Sequence, residues 1–187
     1  MSEMPQKSVL ALAGRRTAQN ESRVRDALLD VLSREAVQLL VSSAARGADI
    51  LAIEAAHVLG IPNLIILPFE KEKFRGTSVT DVTQAEQGVA NWGRRFDSVI
   101  HEAEERGQLI MIAADPSMSP YRAATYEIVR EAKQRAAEQH ARLVAIAVWD
   151  GESRGKDDHT DGFLDIARNE GATILPFINT LDPLSLG

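Results

Sequence analysis

Val37-Gln38-Leu39-Leu40-Val41-Ser42 runs through Ser43-Ala44-Ala45-Arg46-Gly47 into Ala48-Asp49-Ile50-Leu51-Ala52-Ile53-Glu54, and no other stretch constrains the chain as tightly. The apolar run suits a strand buried on both faces. Beyond the small residues, Ile50, Ile53, Val58 and Leu59 recur near helical spacing. The junction therefore reads as strand, tight turn and helix, which aims backbone N–H groups and the positive end of the helix dipole past the strand end, where an anion fits. Small side chains at Ser42 to Ala45 and at Gly47 let a ligand approach the backbone, and Arg46 supplies a fork of donors suited to phosphate or carboxylate. The same residues also fit a plain turn in which Gly47 bends the chain, Arg46 lies in solvent and Asp49 caps the helix. Neither G-x-G-x-x-G nor the Walker pattern is present.

A second junction of this kind precedes it. Ser8 to Ala13 form an apolar run that ends at Gly14-Arg15-Arg16, after which Asn20 caps a helix carrying Val24, Ala27, Leu28, Val31 and Leu32 on one face. In a parallel sheet the two turns lie side by side at the carboxyl ends of their strands. Further strands are expected at Asn63–Leu67, Gln108–Ala114, Ala141–Trp149 and Gly171–Phe177, the last with Pro176 and so suited to a sheet edge. A helical stretch is expected over about 82–105, interrupted by Gly88 and Gly93, with Trp92 and Phe96 packed into the core, and another helix over about 121–140. This alternation predicts an α/β fold: a single Rossmann-like domain over residues 1–187, with a doubly wound, mainly parallel sheet of about six strands flanked by helices. The polar stretches 69–79 and 151–162 are expected to be loops that close over a site, with Phe74 as lid or core anchor, and Asp158 or Thr160 caps the helix that follows.

Several function classes are disfavoured. The chain has no cysteine, which removes disulfides, thiolate catalysis and cysteine-ligated metals. Its net charge of −6 argues against nucleic-acid binding. Residues 1–7 lack the pattern of a secretory signal, and no apolar run approaches the roughly 18 residues needed to span a bilayer; a cytoplasmic protein with no membrane partner is expected. His57, His101, His140 and His159 form no close metal-binding pair, so no metal is expected, and His159 between Asp158 and Asp161 reads as a charged surface turn. No G-x-S-x-G elbow supports serine catalysis.

Ser42 to Ala56, Leu67-Pro68-Phe69, Phe74, Ser78-Val79, Trp92, Phe96 and Val148-Trp149-Asp150-Gly151 together resemble the SLOG superfamily, Rossmann-like domains related to the DNA-processing protein A and LOG families. The resemblance runs in order over most of the chain. It implies a nucleotide pocket formed by the turns after the first two strands and lined by Gly14, Arg15, Ser43, Arg46, Gly47 and Asp49. Many such domains are regarded as sensors of nucleotide-derived signals in bacterial anti-phage and other conflict systems, including NAD-derived cyclic ADP-ribose isomers, whereas LOG proteins release a base from nucleoside monophosphates. The P-G-G-x-G-T-x-x-E run of LOG enzymes is absent here, Gly14-Arg15-Arg16 replaces the Gly-His-Arg of close relatives, and Asp158-His159-Thr160 stands where related sensors have Gly-Gly-Thr.

The expectation is therefore a sensor domain that binds a nucleotide or NAD-derived ligand above the carboxyl ends of the first, second and fourth strands, with no required cofactor. Turn amides and Arg46 would hold a phosphate, and Asp49 or Glu54 would accept hydrogen bonds from ribose or base. The ligand-binding set is Gly14, Arg15, Arg16, Ser42, Ser43, Ala45, Arg46, Gly47, Asp49, Glu54, Phe69, Phe74, Asp150, Gly151 and Thr160. The alternative is a nucleotide N-glycosidase, a LOG-like phosphoribohydrolase, with Glu54 or Asp49 as the catalytic carboxylate. The output is expected either from an effector domain or partner protein, with the chain cut from a longer one, or from self-association as a homo-oligomer.

Overall fold

The structure is a computed structural model that describes residues 6–84, 89–155 and 158–181. Strands β1 (Ser8–Gly14), β2 (Val37–Ser42), β3 (Asn63–Leu67), β4 (Leu109–Met111), β5 (Arg142–Trp149), β6 (Thr173–Ile174) and β7 (Ile178–Asn179) are interleaved with helices α1 (Glu21–Arg34), α2 (Ala48–Val58), α3 (Lys71–Ser78), α4 (Trp92–Glu105), α5 (Pro120–Glu138) and α6 (His159–Asn169). All pairings are parallel, in the order β4-β3-β2-β1-β5-β6, and β7 also pairs with β5.

Alternation along the central strands sends side chains to two cores. Leu10, Leu12, Leu40, Ile65, Ile146 and Val148 pack with α1, α2 and α4. Val9, Ala11, Val41, Ile66, Ala145 and Trp149 pack with α5 and α6 on the opposite face. The chain winds outward from β1 to β4, crosses the other face through α5, and re-enters at β5 beside β1. The winding thus reverses between β1 and β5, and the crevice at the carboxyl end of such a switch point is where open α/β sheets bind ligands.

Four expected elements differ from the structure. The break in the 82–105 stretch falls at Asn91, which takes a left-handed φ of 50°, and Gly93 lies inside α4, which starts at Trp92; Gly88 lies outside the described residues. The fourth strand is three residues long because its single partner, β3, ends where Leu67 meets Met111. The last strand is two short ones: β6 pairs with Val144–Ala145, the chain leaves at Pro176, which has no N–H to donate, and β7 rejoins β5 at Val148–Trp149. The 69–79 stretch is mostly helix α3, fixed by burial of Phe74 against Phe69 and Phe96, with ring centroids 6.1 and 6.0 Å apart. Among the described residues no helix is long and apolar enough to cross a membrane.

Candidate functional site

Two glycines set how closely the turns pack. A Cβ on Gly14 would lie 2.4 Å from Ala48 Cβ and 2.7 Å from the Val148 carbonyl oxygen, so the end of β1 meets both the start of α2 and the end of β5 only without a side chain. Gly47 takes φ +84°, and a Cβ there would lie 2.6 Å from the Arg16 carbonyl carbon. The post-β1 and post-β2 turns are thereby locked together: the Arg15 amide donates to Val148 at 2.8 Å and the Ala48 amide to the Arg15 carbonyl at 3.0 Å.

This packing engages part of the expected anion seat. The Ala48 amide is taken by Arg15, the Arg46 amide donates to the Ser78 carbonyl at 3.1 Å, and the Ala45 amide donates to Asp49 Oδ2 at 3.2 Å. The amides of Ala45, Arg46 and Ala48 thus already have partners within the chain, and the guanidinium groups are the side-chain donors available to an anion. Asp49 does not cap α2 in the expected way either: Gly47 is the N-cap, and Asp49 folds back onto Ala45.

The guanidinium groups are paired with carboxylates. Arg15 is largely buried and donates to Asp158 Oδ2 at 2.8 Å, to the Glu152 carbonyl at 2.6 Å and to Asp150 Oδ1 at 3.5 Å. Burial opposes ionisation of Asp158, but hydrogen bonds from Arg15 and from the Arg154 and Asp161 amides outweigh it and hold the carboxyl below its usual range. Asp150 is also depressed: desolvation opposes ionisation, but the Glu152 amide and the neighbouring Arg15 and Arg154 charges prevail. On the other side of the crevice, Arg16 Nη1 donates to Asp81 Oδ2 at 2.8 Å, and Arg46 Nη1 donates to the other oxygen of the same carboxylate.

These groups surround a cavity of about 760 Å³. It lies above β1, β2 and β5, and β4 contributes only through α5, whose Tyr121, Thr125 and Ile128 form one wall. Tyr121 is fixed by its hydroxyl, 3.1 Å from Ser78 Oγ, and by ring contacts with Phe69 at 5.6 Å and His159 at 5.5 Å. Thr180 closes the opposite side, where its amide donates to Trp149 and its carbonyl accepts from Gln19. Asp49 lies at the base, 6% exposed, and its Oδ1 has no hydrogen-bond partner. Burial pushes its carboxyl up to about 7, only partly offset by the Ala45 amide.

Of the expected residues, the cavity gathers Gly14, Arg15, Arg16, Ser43, Ala45, Arg46, Asp49, Phe74, Asp150 and Thr160. Five lie outside its lining. The Ser42 hydroxyl donates to the Ser43 carbonyl at 2.8 Å, Gly47 faces the Arg15–Arg16 turn, Phe69 backs Tyr121, and Gly151 rests on the Phe177 ring. Glu54 is remote from the chemistry: Arg95 binds both its oxygens at 2.8 Å and Arg25 adds a contact at 3.5 Å. Sequence reasoning missed Asp81, Tyr121 and Thr180, and read Asp158 only as a cap and His159 as a surface turn. Asp158 is that cap, accepting from the Thr160 and Asp161 amides, but it also holds Arg15. Among the described residues, no cluster of three or more His, Asp or Glu is placed to hold a metal.

The fold is the Rossmann-like one that the SLOG resemblance implies. The chain is similar to the X-ray structure of DNA processing protein A from Streptococcus pneumoniae, with a TM-score of 0.43 and 16% identity over 91% of this chain and 61% of that one. It thus spans about three fifths of that protein's length. No protein-family model matches the sequence, and no curated protein does.

Proposed function

We propose that this domain is a sensor that binds a nucleotide or NAD-derived small molecule, of the cyclic ADP-ribose kind, as part of a bacterial conflict system. The observation that carries the reading is the cavity at the β1/β5 switch point, walled on one side by Arg16 and Arg46 and on the other by the Tyr121–His159 ring pair. The guanidinium forks match phosphoryl oxygens, the rings offer a flat face to a base, and 760 Å³ falls within the usual range for small-molecule sites. Of the two carboxylates considered for glycosidic chemistry, Glu54 is held by arginines outside the cavity lining and Asp49 lies at the cavity base, so any turnover would fall to Asp49.

Mass spectrometry of small molecules released from the purified protein tests this, followed by thermal shifts with nucleotides, NAD and cyclic ADP-ribose isomers and product analysis of each hit. A ligand that raises Tm and is recovered unchanged supports the sensor, since binding to the folded state alone stabilises it. Recovery of free base and ribose phosphate would instead make the domain a glycosidase. No stabilisation by any member of the panel would refute nucleotide binding.

A further inference from the structure

Asp81 follows α3, 65 residues from Arg16 and 35 from Arg46, yet its two oxygens each take one of those guanidinium groups. Arg16 comes from the post-β1 turn and Arg46 from the post-β2 turn, so the carboxylate bridges the two loops that define the switch-point crevice. All three residues line the cavity. Asp81 is therefore seated as a phosphoryl group would be, with one oxygen on each of two converging forks. Since the nearby amides of Ala45, Arg46 and Ala48 are already taken, these forks are the anion-recognising groups on this side of the cavity.

We infer that Asp81 is an intramolecular stand-in for the ligand's phosphoryl group, occupying a two-arginine anion site that a phosphorylated small molecule takes over by displacing it. The inference rests on the cavity being a ligand site and adds how that site is regulated. Displacement starts at the exposed arm of the bridge: Arg16 is 48% exposed and Asp81 30%, where ion pairs are weak, while Arg46, at 14%, is the more shielded fork. A phosphoryl group brings more charge and a third oxygen to the same forks. The competition also sets a threshold, since a singly charged carboxylate-bearing molecule gains little over Asp81, whereas a di- or polyphosphate gains more.

Asp81→Asn tests the inference, keeping shape while removing charge, with inorganic pyrophosphate and ADP as calorimetric probes and circular dichroism to verify the fold. Asp81→Asn is expected to bind pyrophosphate roughly tenfold more tightly than the wild type, as expected when two weak competing ion pairs are removed. Adding Arg46→Ala should abolish the gain. Unchanged or weaker pyrophosphate binding in Asp81→Asn, including none at all, overturns the inference, as does a gain that survives Arg46→Ala. The two readings separate cleanly. If pyrophosphate binding improves but ADP binds neither protein, the anion site stands and the ADP-type nucleotide reading fails; if ADP binds both proteins equally, nucleotide binding stands and displacement of Asp81 fails.

Discussion

Asp49→Asn should change how stability depends on pH. Asp49 is buried at the base of the cavity with one oxygen unpartnered, and its folded-state carboxyl is raised from 3.8 to about 7 by desolvation. An acid raised on folding binds its proton more tightly in the native state than in the unfolded chain. Stability is then highest below the unfolded value and falls as pH rises towards the folded one. With one proton at stake the slope is about 1.4 kcal/mol per pH unit, and over the whole window the loss is on the order of 4 kcal/mol. For a domain of this size 1 kcal/mol moves Tm by about 2–4 °C, which makes roughly 3–5 °C per pH unit. Asparagine does not titrate and can still accept from the Ala45 amide; the unpartnered amide it leaves adds a constant offset of about 1–3 kcal/mol. Calorimetric Tm of both proteins, scanned from about pH 4 to pH 8, should show the difference (variant minus wild type) rising steadily and levelling off above the folded value of about 7. A difference that is flat with pH would refute the argument, because Asp49 would then be ionised in the folded protein at its ordinary pKa.

Asp158→Ala should lower stability by about 2–4 kcal/mol, read by urea titration, because it removes the α6 cap and leaves Arg15 short of a partner. Asp158→Asn should cost less, since the cap survives, and its deficit should shrink as pH falls through the depressed carboxyl range, where the wild type loses the same charge. Gly14→Ala should cost about 1–3 kcal/mol or more through its clashes with Ala48 and Val148, seen as a lower Tm. Glu54→Gln should leave the thermal shift of any bound nucleotide unchanged while costing about 1 kcal/mol from the Arg95 pair; loss of binding would place Glu54 in the site.

What the sequence by itself determined follows from local chemistry. β1, β2, β3 and β5 are central and buried on both faces over most of their length, so each is written as an apolar run, interrupted in β2 by the exposed Gln38, and Asn20 capped α1 as its side chain dictates, accepting from the Arg23 amide. The edge elements were less legible, because β4 and β6 last only as long as a neighbour pairs with them, and α3 is helical only because Phe74 finds Phe69 and Phe96. That Gly14, Arg15, Arg16, Ser43, Ala45, Arg46 and Asp49 line one cavity was legible because a parallel sheet sets successive turns side by side. Which partner each charge takes is a different matter. Arg15 with Asp158 and Arg46 with Asp81 join residues 143 and 35 positions apart, and no spacing along the chain encodes such a meeting. The availability of the turn amides was likewise decided by packing, since the carbonyls of Arg15 and Ser78 reach them only when Gly14 and Gly47 let the loops close on one another.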